Sequence, residues 1–171
     1  MQSSPRHLVV FGVSGAGKST VGRRLAEAFH YDFADADDFH SAESIRKMSA
    51  GIPLTSADRE PWLRSVRDWM CQRAAEGKGT AIACSALKRV YRDQLRDVPG
   101  DVTFIHLDGS REMIEARLAR RLEHFMPVSL LGSQFEALEP LSPDEHGIVV
   151  DAGASVDSIV SSVREALLPV S

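Results

Sequence analysis

The residues with the clearest chemical meaning are Gly12, Val13, Ser14, Gly15, Ala16, Gly17, Lys18 and Ser19, which read G-x-x-x-x-G-K-[S/T]. Glycines let a backbone curl until consecutive N–H groups converge on a phosphate, and a helix starting there adds its positive end. In that arrangement Lys18 reaches the β- and γ-phosphates and the Ser19 hydroxyl ligates Mg²⁺. Thr20 completes the nucleotide-binding stretch. The flanks fit as well: the apolar run Leu8-Val9-Val10-Phe11 comes before the loop, and a helical pattern opens at Gly17-Lys18-Ser19. ATP and Mg²⁺ are therefore the expected cofactors, and the acceptor of the phosphate is left open.

Further polar clusters follow. Asp35 and Asp37 are two apart, so on an extended strand end both project to one side. Phosphoryl transfer needs one carboxylate near Mg²⁺ and one that orients or deprotonates an acceptor hydroxyl. Asp38 points the other way, as a capping or solvent residue, and His40 closes the cluster. Arg59 and Trp62 straddle an expected helix start whose first turn holds Pro61. The Arg59 guanidinium could fork onto a carboxylate, whereas Trp62 and Trp69 suit the core. Lys88 and Arg92 share a helix face, where they could hold an anionic substrate or pair with Asp93 and Asp97. Arg117 and Arg121 share another, leading into His124-Phe125-Met126-Pro127. An arginine arriving over a γ-phosphate stabilises the charge that spreads in the transition state.

These residues are positioned by alternating elements. Strands are expected at Leu8–Phe11, Tyr31–Ala34, Thr80–Cys84, Val102–Leu107 and Ile148–Val150. Val21, Leu25, Ala28 and Phe29 mark a helix over about 18–29, and Ser41 caps another carrying Ile45 and Met48. Trp62, Val66, Trp69 and Met70 mark a third, ending near Gly77. Further helices pass through Leu95, through Ile114 and Leu118, and through Ile159, Val163 and Leu167. Residues from Arg120 to about Gly132 lack clean periodicity and read as a mobile lid. The expected fold is α/β: a three-layer sandwich with a five-stranded parallel sheet and helices on both faces. Ligands in such sheets sit at the carboxyl ends of the strands, where the polar clusters fall.

The 171 residues suit one domain over 1–171, with the lid at about 120–133. A net charge of −4 and 6% aromatics argue against a nucleic-acid partner. No apolar run approaches the roughly 20 residues of a membrane span, and the polar start is not a signal peptide, so a cytoplasmic protein is expected. Cys71 and Cys84 have no metal-ligand spacing and read as free thiols. The chain contains no asparagine, which excludes the N-K-x-D motif of guanine-nucleotide switches.

Taken together, the clusters resemble the gluconokinases among the small P-loop kinases, related to shikimate kinase and adenylate kinase. The resemblance runs through nearly the whole chain and is carried by the glycine-rich loop, Asp35–His40, Lys47–Leu54, Asp58–Leu63, Cys84–Lys88 with Tyr91–Asp93, His124–Pro127 and Ser133–Glu139. It implies ATP-dependent phosphorylation of D-gluconate to 6-phospho-D-gluconate, often by a homodimer. It also implies that Asp35 holds Mg²⁺ through water and Asp37 deprotonates the acceptor hydroxyl. His40, Arg59, Lys88, Arg92 and His124 would hold the sugar acid. Arg117 would lie against adenine, and Arg121 would reach the phosphates. Glu123 departs from the glycine the family usually has before His-Phe, which bears on lid motion and not on reaction type. A kinase for another small hydroxy acid or for a nucleoside monophosphate is the alternative.

Overall fold

The computed structural model describes residues 5–120 and 131–167. Its sheet comprises β1 (Arg6–Phe11), β2 (Asp32–Asp35), β3 (Thr80–Ala83), β4 (Asp101–Asp108) and β5 (Gly147–Asp151). All pairings are parallel, in the order β2-β3-β1-β4-β5. Leu8, Val9, Val10 and Phe11 are wholly buried, which is why β1 reads as an unbroken apolar run.

Alternate side chains of β1 enter different cores. Leu8 and Val10 pack beneath α1 (Lys18–Phe29), α5 (Arg111–Ala119) and α7 (Val156–Leu167), through Leu25, Ile114 and Val163 among others. Val9 and Phe11 pack beneath α3 (Ser56–Ala75) and α4 (Arg89–Arg96), through Leu63, Val66, Met70 and Leu95. The expected three-layer α/β architecture is thus the one observed. α2 (Ala42–Ser49) and α6 (Leu131–Ala137) lie over the carboxyl ends of the strands.

Local chemistry sets the boundaries. Ser41 Oγ accepts from the Ser44 N–H at the start of α2, as expected. α3 begins earlier than expected: Thr55 and Asp58 form a reciprocal capping box, and Pro61 lies inside the helix instead of in its first turn. β2 is shifted by one residue from Tyr31–Ala34. Residues 121–130 of the expected lid lie outside the described residues. Residues 131–133 open α6, a helix the sequence pattern did not reveal, because Leu131 is its one buried residue.

Candidate active site

The phosphate loop leaves β1 and enters α1 through Gly17, whose φ of 99° is left-handed and whose lack of a side chain leaves the first-turn N–H groups to a ligand. Gly15 has φ +86°, and a Cβ there would lie 3.0 Å from Leu118 Cγ, so both backbone sign and space demand glycine. Lys18 Nζ donates to Val13 O across the loop at 3.0 Å. Val13 and Ala16 are buried beneath the loop, Gly12 approaches Leu107 of β4, and Thr20 is exposed on α1.

Ser19 and Asp35 meet as the sequence suggests: the Ser19 hydroxyl donates to Asp35 Oδ2. A hydroxyl beside a carboxylate is a hard-oxygen donor set suited to Mg²⁺, which takes few protein ligands and keeps several waters. Among the described residues no group of three or more His, Cys, Asp or Glu is arranged to hold a metal ion.

Asp37 does not sit on an extended strand end. It lies in a 3₁₀ turn, Ala36–Phe39, and its N–H donates to Asp35 Oδ1 at 3.0 Å. Asp35 therefore caps the turn that presents Asp37, a role the sequence reading gave to Asp38 as a possible cap. His40 ends the turn with its ring stacked on Trp62 at 4.3 Å, and its Nε2 lies 3.8 Å from Asp37 Oδ1. Trp62 is core, as expected, yet it also positions the site: its Nε1 donates to Ala36 O at 2.6 Å. Burial, then the Arg59 guanidinium, lower the His40 pKa to about 4, so the ring is neutral at neutral pH.

Asp37, His40, Arg59 and Ser85 line one cleft together with Met48, Leu54 and Gln134. Arg59 and Gln134 also line its outer part, beside Lys88 and Tyr91. The Arg59 guanidinium lies over the Tyr91 ring at 5.5 Å. Asp37 thus faces a cleft whose other charged groups, Arg59 and Lys88, are cationic, and Gln134 links that cleft to the phosphate loop through the Ser14 N–H. Asp58, on the neighbouring turn of α3, is held at about 2 by the Thr55 backbone bond and by Lys47, which bridges to it from α2.

Arg92 requires a correction. Its side chain is fully buried and does not share an open face with Lys88. Nε and Nη2 clamp Glu145 at 2.8 and 3.1 Å, and Nη1 donates to Ala86 O and Leu87 O. Burial pushes the Glu145 carboxyl up, and Arg92 and Arg96 outweigh it and hold the pKa below its ordinary value. Arg92 therefore supports the loop that carries Ser85 and Lys88, and it does not face the cleft. Lys88 is the N-cap residue of α4.

Arg117 joins Ala16 O of the phosphate loop to Ala152 O beyond β5, at 3.3 and 2.7 Å. Arg121 and His124 lie outside the described residues. Cys84 is buried beneath the site, and burial pushes its thiol far up, so it is inert, while Cys71 is likewise a free thiol. The sequence reading missed Ser85, Ser133 and Gln134 as site residues. The only signal for the last two was their place in the late motif Ser133–Glu139.

A parallel sheet of this order, with its phosphate loop after the central strand and a carboxylate-lined cleft beside it, defines a P-loop kinase. The family model described as Shikimate kinase matches residues 14–165. A gluconokinase of Gluconobacter oxydans is 44% identical, the match covering 95% of this chain and 92% of that protein. The crystal structure of a gluconokinase from Sinorhizobium meliloti is 45% identical, with a TM-score of 0.81 over 96% of this chain and 91% of that one. A sugar kinase from Janibacter sp. is 51% identical, with a TM-score of 0.91 over 94% and 93% of the two chains. The chain belongs to the gluconokinase family of shikimate-kinase-related P-loop kinases.

Proposed function

We propose that this kinase transfers the γ-phosphoryl group of ATP to the terminal hydroxyl of D-gluconate, giving 6-phospho-D-gluconate and ADP. The observation that carries the reading is the convergence of Asp37, His40 and Arg59 on one cleft, with Asp35 of the same turn bonded to Ser19 of the phosphate loop. That convergence supports a base and cations for a sugar acid in one cleft, beside a turn bonded to the phosphate loop. Family membership supports gluconate as the acid.

In the transfer, Asp37 takes the proton of the acceptor hydroxyl, whose oxygen bonds to the γ-phosphorus while the bond to the bridging oxygen of ADP breaks. Lys18 and the loop N–H groups follow the charge on the phosphates. Ser19 and Asp35 would hold Mg²⁺, which when bound neutralises phosphate charge. Arg59 and Lys88 attract the substrate carboxylate, and neutral His40, stacked on Trp62, offers a hydrogen bond without a charge. Arg121 is assigned to the phosphates, His124 to the sugar acid and Arg117 to the nucleotide. The reading also carries a cytoplasmic homodimer, which sedimentation checks for assembly; no described helix is long and apolar enough to cross a membrane.

The test is ADP release with Mg-ATP alone and with D-gluconate, shikimate, glucose, AMP or other sugar acids. Stimulation by gluconate is the expected result. Stimulation by another acceptor alone keeps the kinase and overturns the substrate.

A further inference from the structure

Gln134 stands where two parts of the site meet. Its side-chain Oε1 accepts a hydrogen bond from the Ser14 backbone N–H of the phosphate loop at 2.5 Å. The same residue lines the cleft that holds Asp37, His40 and Arg59, and its outer extension beside Lys88. Its helix is anchored beyond it. Leu138 N–H donates to Gln134 O at 2.9 Å, Glu139 N–H donates to Leu87 O at 2.8 Å, and Glu139 Oε1 accepts from Arg89 N–H at 2.7 Å. These bonds tie α6 to the loop bearing Ser85 and Lys88, so the carboxamide turns on a fixed base.

A backbone N–H carries one proton and makes one strong, well-aligned bond. In phosphate loops those N–H groups serve phosphate oxygens. A phosphate oxygen at Ser14 and Gln134 Oε1 therefore compete for the same donor. A carboxamide has two N–H donors besides its acceptor oxygen, a pairing that matches a polyhydroxy acid. We propose that Gln134 is an acceptor-binding residue that nucleotide binding releases from the phosphate loop into the cleft, where it bonds the acceptor, so that nucleotide and acceptor each favour the binding of the other. This rests on the cleft being the sugar-acid site. The coupling is reciprocal by thermodynamic necessity: an acceptor that holds Gln134 in the cleft frees Ser14 for phosphate.

The test is calorimetric binding of Mg²⁺ with the non-hydrolysable ATP analogue AMPPNP, and of D-gluconate with and without it, together with steady-state kinetics. In Gln134→Ala the competitor for Ser14 is gone, so AMPPNP alone binds roughly 2- to 10-fold more tightly. Gluconate KM rises more than kcat falls, and the tightening of gluconate by AMPPNP seen in the wild type is lost. Gln134→Glu keeps an acceptor facing Ser14 but adds a charge, so it binds AMPPNP more weakly than the wild type. Unchanged AMPPNP affinity in Gln134→Ala, or wild-type coupling in that variant, overturns the proposal. If the wild type binds no gluconate, the acceptor reading fails, and the AMPPNP comparison still decides whether Gln134 and phosphate compete.

Discussion

The proposed roles set Lys18 and Asp37 at opposite ends of the same transfer, and single substitutions separate them. Lys18→Ala removes the charge that follows the phosphates, so ADP release should fall to background; wild-type turnover would remove Lys18 from that role. Asp37→Asn keeps the shape of the 3₁₀ turn and removes the base. Its kcat should fall by roughly 10²–10⁴ while nucleotide affinity stays near wild type, and loss of nucleotide affinity alone would contradict the role. His40 gives a pH prediction. Its folded pKa of about 4 lies below the ordinary 6.5, so between those values the unfolded chain binds a proton that the folded one does not. The stability His40 contributes is complete above pH 6.5 and is lost as pH falls towards 4. His7 and His106 are lowered too, chiefly by burial, and act in the same direction. His40→Phe, which keeps the stack on Trp62, should flatten part of the acid-side fall in melting temperature and raise the acceptor KM. At this scale the sequence shows which residue types are present and at what spacing. It could not show that Asp37 leaves the strand, because that follows from Asp35 accepting the Asp37 N–H.

Among the elements, α4 and the segment before β5 are held together by the buried Arg92–Glu145 pair, flanked by Arg96 and Arg89. Removing one partner of such a pair leaves an uncompensated charge. Arg92→Leu should therefore cost about 3–5 kcal/mol, and the double variant Arg92→Leu/Glu145→Leu should cost less than the single one. Urea midpoints decide it; a rise in acceptor KM with no loss of stability would restore Arg92 to the substrate. Glu145 lies far along the chain from Arg92, so periodicity around α4 gave no sign of the pairing. α1 was legible to its ends because Val21, Leu25, Ala28 and Phe29 recur at helical spacing, and all four pack in the core beneath it. α3 starts before the turn that Pro61 suggests, because the reciprocal capping bonds of Thr55 and Asp58 fix its first turn. Thr55→Ala should lower stability by about 1 kcal/mol, measured by denaturant unfolding.

For the molecule as a whole, alternating apolar and helical segments were enough to specify a parallel sheet wrapped on both faces. The strand order and the gathering of Asp37, Arg59 and Gln134 around one cleft arise from crossovers that local pattern does not encode. The central place of β1 has a consequence for the chain during its synthesis. Its neighbours are β3, pairing His7 with Thr80, and β4, pairing Arg6 with Asp101. The first strand to be translated therefore waits until Ala83 of the 171 residues for its first neighbour and until Asp108 for its second, and Leu8 to Phe11 stay available to other apolar surfaces until then. A nascent chain halted after Pro99 has one neighbour for β1 and should remain open to protease and to chaperones. One extended past Asp108 has both, and its phosphate loop gains the support of Leu107. The phosphate loop is among the earliest sequences made, yet its support is incomplete until β4 has followed.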